Sequence, residues 1–228
     1  MVVLLVGSTW PVHDLAEQRL YAVHMVQHML YSLVAPPLLI PGIPAVMWRG
    51  LLRLRWAGAA FRFLVRPLVA LVLFNAVLLF THWPAVVEAS VRSGLLHFTL
   101  HALVVASSLV MWWPVMSPLP ELPALSPPGQ MAYLFLQSLA PTIPASFLTF
   151  GRSPLYPIYA TFPRLWGLDP LEDQLIAGLV MKLGGGLLLW AFIAAIWFRW
   201  FGRDAREGFD TLSLTAVERD VRARLSRP

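Results

Sequence analysis

The sequence predicts an all-α fold, a polytopic membrane helical bundle of five full spans plus a short or truncated N-terminal helix. Three observations lead to this prediction. Of the 228 residues, 58% are hydrophobic and only 13% are charged, whereas about 25% of the residues of a soluble domain are charged. Apolar stretches long enough to cross a bilayer, about 20 residues each, recur along the chain. Most basic residues lie outside these stretches, in two segments.

The predicted spans cover residues 20–47, 67–87, 95–116, 130–150 and 174–198. Each is expected to be helical, because a single segment in lipid can satisfy its backbone polar groups only as a helix. Residues 1–11 are apolar but too short to span alone, which predicts the short first helix. The prolines at 36, 37, 141 and 144 predict kinks within two of the spans.

The arginines predict the orientation of the bundle, since short cytoplasmic loops collect Lys and Arg. Twelve of the 17 basic residues lie in segment 48–66 and in the tail after residue 198. Alternation of the spans puts these two segments on one side, which we predict to be cytoplasmic. The pI of about 10.2 therefore reports membrane topology, and no nucleic-acid partner is expected.

The segments between the spans also carry patterns. Segment 48–66 interleaves Arg with Leu, Trp and Phe, which predicts that it lies along the membrane surface. We divide the chain into an integral membrane bundle, residues 1–200, and a cytoplasmic amphipathic tail, residues 201–228. The tail contains a capping-box pattern from Thr215 to Glu218. Segment 151–173 is rich in Pro, Tyr and Trp and is expected to be an ordered extracytoplasmic loop.

The absence of cysteine excludes disulfides, thiolate metal sites and a cysteine nucleophile. Histidine is therefore the main candidate for metal chemistry. In the predicted topology, all six histidines lie towards the extracytoplasmic side, and four of them form two His-x-x-x-His pairs. This spacing places both imidazoles of a pair on one helix face. The candidate metal ligands are His24, His28, His97, His101, His82 and His13.

Nitrogen ligands without thiolate suit copper, zinc, iron or nickel. Met25 and Met29 flank the first pair, and their thioethers favour Cu(I), so both are candidate additional ligands. No His-Glu-x-x-His motif supports zinc-protease chemistry. Haem stays an alternative, with one axial histidine from each of two helices.

A few other polar residues lie within or beside the predicted spans. Glu172 and Asp173 are expected either to orient an imidazole or to cap a helix or pair with an arginine, and we favour the second interpretation. The candidate arginines are Arg19, Arg152 and Arg164. Lys182 lies in the middle of the last span. It is expected to snorkel towards the membrane surface or to meet Asn75 or Gln137.

Several motifs together resemble the CtaG family of cytochrome c oxidase (caa3-type) assembly factors. The most specific is the run from His24 to Leu30, His-Met-Val-Gln-His-Met-Leu, followed by the proline-rich stretch 34–44. The resemblance continues through Thr-His-Trp-Pro at 81–84, the second histidine pair with Trp-Trp-Pro-Val at 112–115, Leu-Thr-Phe at 148–150, Pro-Leu-Tyr at 154–156 and the stretch 172–179. It covers roughly residues 8–200.

The resemblance implies a multi-pass protein of the bacterial plasma membrane; the arginine distribution predicts that its C-terminus is cytoplasmic. Its role would be to deliver copper, as Cu(I) or Cu(II), to the haem–copper centre of cytochrome c oxidase subunit I, without being an enzyme. The recurrent histidines of the family correspond to His24, His28, His82, His97 and His101, with His13 peripheral. The implied partners are that subunit, an extracytoplasmic copper donor and the lipid bilayer, with a second copy of the chain as a further candidate.

Two alternatives to this role stay open at the level of the sequence. The first is a membrane redox protein that carries haem or a di-iron centre. The second is an accessory structural subunit, in which the histidines serve only hydrogen bonding and proton handling.

Overall fold

A computed structural model describes residues 20–210 together with residues 219, 221, 222 and 225. The predicted helix at 1–11, His13 and the capping box at 215–218 lie outside the described residues. Within them the chain is helical and contains no β-strand. The helices are α1 (Tyr21–Gly42), α2 (Ala45–Arg53), α3 (Arg55–Leu64), α4 (Pro67–Thr81), α5 (Pro84–Arg92), α6 (Gly94–Met116), α7 (Pro127–Phe150) and α8 (170–210).

Four of these helices, α1, α6, α7 and α8, are each long and apolar enough to cross a membrane. Helix α4 has 15 residues, about 22 Å at a rise of 1.5 Å per residue, and is shorter than the apolar core of a bilayer. It reaches spanning length only together with α3, from which it is bent by 86°. The predicted all-α membrane bundle is confirmed, with four to five spans. The predicted span 67–87 is shorter than expected, since its helix ends at Thr81.

Helices α2 and α3 form the arginine-rich segment. All five of its arginines are exposed, while Trp48 and Phe61 pack edge-to-face on the buried Trp113 of α6, with ring centroids 4.9 and 4.8 Å away. The two helices therefore lie across one end of the bundle with apolar residues inward. Arg49 also bonds to Glu121 in the loop between α6 and α7, at 2.8 Å. This hydrogen bond lowers the pKa of the Glu121 carboxyl.

Helix α1 contains a five-residue π-helical segment, Leu30–Val34, which comes just before two prolines. Pro36 has no N–H, so the carbonyl of Ser32, four residues earlier, loses its helical donor. The indole of Trp112 on α6 donates to that carbonyl instead, at 2.9 Å. The carbonyl of Ile40, in the last turn of α1, likewise accepts from the indole of Trp48 at 3.3 Å. Tryptophans from other segments thus donate to backbone carbonyls that have no helical donor in this proline-rich helix.

Helices α7 and α8 pack against each other as antiparallel neighbours, and both are irregular. Helix α7 is interrupted at residues 140–141, where the prolines predict a kink, and α8 contains a second π-helical segment, Val180–Gly184. The backbones approach closely at Gly178. A Cβ at this position would lie 2.5 Å from Oγ1 of Thr149 and 2.9 Å from Cβ of Leu148.

The first turn of α1 is held by α8. Leu20, the residue that precedes α1, gives no side-chain cap to the helix. The carboxylate of Asp173 accepts hydrogen bonds from the backbone N–H groups of Tyr21 and Ala22 instead, at 2.8 and 2.9 Å. Asp173 is fully buried, which agrees with the predicted capping role. It caps a different helix from the one on which it lies.

Further polar groups pair inside the bundle. Asn75 donates to Gln137 at 2.8 Å, Gln137 donates to the hydroxyl of Tyr133 at 3.2 Å, and that hydroxyl donates to the carbonyl of Met111 at 2.8 Å. The two amides thus bond to each other and, among the described residues, neither pairs with Lys182, contrary to one of the two expectations for this lysine. The Lys182 ammonium lies 5.9 Å from the ring centroid of Phe150, and its side chain is exposed.

Replacing Asp173 with Ala should lower the free energy of unfolding by about 2–3 kcal/mol, because two buried N–H groups lose their acceptor. Asp169 offers a matched control, since it caps the N-terminus of α8 from an exposed position. For Asp169→Ala we expect a loss of about 1 kcal/mol. Thermal unfolding in detergent, followed by tryptophan fluorescence, measures both. Equal losses would contradict the inter-helix role of Asp173.

Replacing Gly178 with Ala should also destabilise the bundle, by about 1–3 kcal/mol, because the new methyl group overlaps Thr149 and Leu148. Gly186 lies about two turns further along α8, and a Cβ placed there would have no atom within 4 Å. Gly186→Ala should therefore be neutral or slightly stabilising. The same unfolding assay compares the two variants, and a loss of equal size for Gly186→Ala would contradict this account of the α7–α8 contact.

Candidate metal centre

Five of the six histidines lie at one end of the bundle, where α1, α6 and α8 begin and α4 and α7 end; we call this the histidine end. His13 lies outside the described residues. Helices α2 and α3 and the C-terminal part of α8 lie at the opposite end, as the alternation of the spans predicts. The structure therefore brings together the described histidines that the sequence selects.

The first pair comes from α1. His24 and His28 lie in its first two turns, and their ring centroids are 4.4 Å apart. The start of this helix is fixed by Asp173, so the hydrogen bonds of α8 determine where both imidazoles stand. His24 is 7% exposed. Its Nδ1 atom is buried and has no hydrogen-bond partner in the described part of the chain, which is costly unless another group binds it.

The second pair comes from α6. His97 and His101 lie in the first two turns of this helix, with ring centroids 4.2 Å apart. Ser93 caps the helix, since its side chain accepts from the backbone N–H of Leu96 at 3.4 Å. The helix start places the two imidazoles opposite those of α1.

The fifth imidazole, His82, follows the last residue of α4. Its Nδ1 lies 2.7 Å from the carbonyl of Leu78. A carbonyl only accepts, so Nδ1 must carry the proton and Nε2 must present its lone pair, the form that binds a metal. The carbonyl of His82 accepts from the Tyr156 hydroxyl at 2.8 Å. Burial raises the pKa of Tyr156 to about 12, so this hydroxyl remains a donor at physiological pH.

The two pairs meet across the interface between α1 and α6. The ring of His101 lies 5.4 Å from that of His24 and 5.0 Å from that of His28. His97 lies 5.4 Å from His24, and His82 lies 5.6 Å from His28. Each imidazole therefore has at least one neighbour on a different helix.

Three of the imidazoles form a group that fits one metal ion. Nitrogens of His24, His28 and His101 lie within 4.8 Å of one another. Three nitrogens that bind one ion at about 2.0–2.1 Å are about 3.6 Å apart in a trigonal arrangement, so each nitrogen would have to move by roughly 0.7 Å to close the site. The group contains no carboxylate, and the nearby Asp173 is occupied by the start of α1.

A cavity of about 60 Å³ extends inward from this group, between α1, α4, α6, α7 and α8. Of the five histidines, only His28 and His82 line it. Met25 and Met29, which the sequence suggests as additional ligands, also line the cavity, together with Met111 and Met181. Met111 and Met181 were not identified from the sequence. Met111 lies 14 residues after His97, about four turns of α6, so helical spacing could have placed it on the histidine face; Met181 lies on α8, where no described histidine offers such a signal.

Comparison with known proteins identifies one matching family. Residues 1–203 match the family model described as cytochrome c oxidase caa3 assembly factor (Caa3_CtaG). No curated protein and no solved structure shows significant similarity to the chain. The match covers nearly the whole chain, including both histidine pairs, His82 and the membrane-spanning segments. The chain therefore belongs to the family of cytochrome c oxidase caa3 assembly factors.

Proposed function

We propose that this assembly factor binds copper with its histidine cluster and delivers it to the haem–copper centre of cytochrome c oxidase subunit I. The observation that carries the proposal is the group formed by His24, His28 and His101, whose nitrogens lie within 4.8 Å of one another at the end of a membrane bundle. Imidazole is the commonest metal-ligating side chain. Ionisable groups buried in a membrane are costly and usually serve a function.

The chemistry of the surrounding groups favours copper among the metals that bind imidazole. The three-histidine group has no carboxylate or thiolate, and methionine thioethers are the next potential ligands along the cavity. Soft thioether ligands favour Cu(I). A di-iron centre of the kind built in helical bundles uses several glutamates beside its histidines, and the three-histidine group provides none.

The arrangement suits an ion that is held and then passed on. His82 and His97 lie next to the three-histidine group, so two further imidazoles are available as incoming ligands. Transfer could then proceed by exchange of one nitrogen at a time, without a fully released ion in the membrane. Such a process makes or breaks no covalent bond in a substrate, so the protein acts as a metal-binding chaperone and not as an enzyme.

The partners follow from this role. We propose that an extracytoplasmic donor supplies copper at the histidine end, and that oxidase subunit I receives it. The arginine-rich α2–α3 segment would then face the cytoplasm of the bacterial cell, together with the C-terminus, in accordance with the positive-inside rule. The histidine end would lie on the extracytoplasmic side of the plasma membrane.

Replacing His101 with Ala should lower the affinity for copper by at least about 100-fold, because the group loses one of its three nitrogens; even changes in residues that only orient a ligand cost 10–100-fold. Competition with a chromophoric copper chelator measures the affinity of the purified chain. Thr99→Ala is the matched control, since Thr99 is exposed on the same turns of α6 and bonds only to the carbonyl of Leu95. Its affinity should be unchanged.

A second assay tests delivery. Cells that lack the wild-type chain and express the His24→Ala/His28→Ala variant should assemble a caa3 oxidase with little copper in its haem–copper centre, while the Thr99→Ala variant should support normal assembly. Wild-type protein without copper under copper-replete conditions would contradict the proposal, as would full oxidase maturation with the double variant. A Soret band in the purified protein would indicate the haem alternative.

A further inference from the structure

The cavity beneath the histidine cluster has two chemically different ends. At the histidine end it is lined by His28, Thr81 and His82. Elsewhere it is lined by Ser138 and Thr142 of α7 and by the exposed Lys182 of α8. Lys182 lies about 18 Å along α8 from Pro170 at a rise of 1.5 Å per residue. The cavity therefore extends from the histidines to residues of α7 and α8 further along the bundle.

Two rare backbone features form facing walls of this cavity. The π-helical segments Leu30–Val34 of α1 and Val180–Gly184 of α8 lie in helices that pack together, and residues from both line the cavity. Fewer than about 1% of residues in globular proteins are π-helical, and such segments are frequent at functional sites. Two such segments line this one cavity, which indicates that the backbone of α1 and α8 sets its shape.

Thioethers project into the space between these walls. Met29 immediately precedes the π-helical segment of α1, and its Sδ atom lies 3.2 Å from the position that a Cβ on Gly184 would occupy. The sulfur of Met29 therefore reaches across from α1 to α8. Met25, one turn earlier, is 2% exposed and lines the same cavity. Both thioethers thus lie on the cavity side of α1, where His28 also lies.

His82 is the imidazole best prepared to bind an ion in this cavity. Its Nδ1 is engaged by the carbonyl of Leu78, so Nε2 offers the lone pair. It lies outside the three-histidine group, yet its ring is 5.6 Å from that of His28. His28 belongs to the three-histidine group and also lines the cavity. An ion could therefore move between the two places through His28.

We propose that the cavity holds a second copper site, in which His82 Nε2 and the thioethers of Met25 and Met29 bind Cu(I) that His28 passes on from the three-histidine group. This inference rests on the proposed function. No redox change is required, because the ion remains Cu(I) and only its ligands are exchanged. His28, His82 and both methionines line this one cavity, so its imidazoles and thioethers offer ligands to the same enclosed space.

The test is an anaerobic titration of the full-length chain in detergent with Cu(I), in competition with a chromophoric chelator. X-ray absorption spectra are recorded after one and after two equivalents. The wild type should bind two ions, the first with nitrogen ligands alone and the second with sulfur as well. His101→Ala should lose the nitrogen-only ion and keep the sulfur-containing one.

The decisive variant is Met25→Leu/Met29→Leu, because Leu replaces Met with little change in volume and folding should be preserved. We expect it to bind the first ion as the wild type does and to lose at least tenfold in affinity for the second, without sulfur scattering. Met47→Leu/Met131→Leu is the matched control, since neither residue lines the cavity. It should behave as the wild type does.

The outcomes separate the two proposals. If the wild type binds no copper, both the proposed function and the second site are wrong. If it binds a single ion with nitrogen ligands alone, and the Met25→Leu/Met29→Leu variant is unchanged, only the second site is wrong. Sulfur scattering already at the first equivalent would also overturn a separate second site, because it would place the thioethers in the primary one.

Discussion

The hydrogen bonds from the first turn of α1 to the buried carboxylate of Asp173 are the contact on which the site depends most. They fix the start of α1 against α8, and His24 and His28 follow within two turns. The same junction is covered by aromatic rings, since Tyr21 lies 4.8 Å from Tyr156 and 5.0 Å from Tyr159. Tyr156 in turn bonds to the backbone of His82. One polar contact at the histidine end thus helps to position three of the five described imidazoles.

The rest of the bundle shows how this chain tolerates irregular helices in an apolar environment. Pro36 opens the hydrogen-bonding pattern of α1, and the freed carbonyl of Ser32 is satisfied by Trp112. Among the buried side chains, Asn75 donates to Gln137, and Gln137 donates to the hydroxyl of Tyr133. Because unsatisfied groups cost several kcal/mol in lipid, a distortion persists only where a partner is present. The cavity walls can therefore be irregular without destabilising the bundle.

These distortions give the site properties that suit a carrier of metal ions. A rigid, closed group of ligands would hold an ion well and release it slowly. Here three imidazoles form a group, two more lie beside it, and a cavity lined in part by methionines extends inward from it. The proposed chaperone function needs several ligands close together, since each step of transfer replaces one ligand of the ion by a neighbouring one.

The sequence alone determined the fold class, the family and the identity of the clustered histidines. Apolar length and the 3.6-residue helical period are local properties, so spans and His-x-x-x-His faces can be predicted directly. The prediction that Asp173 caps a helix was right, but the sequence could not show which helix it caps. Only the tertiary structure decided that His24, His28 and His101 share one group while His82 and the methionines face a cavity. It also decided that α4 is shorter than the predicted span and bent from α3. The structure likewise decided that Asn75 pairs with Gln137, while Lys182 lies near the ring of Phe150. These features depend on how helices pack across long sequence separations, and local periodicity carries no information about such distances.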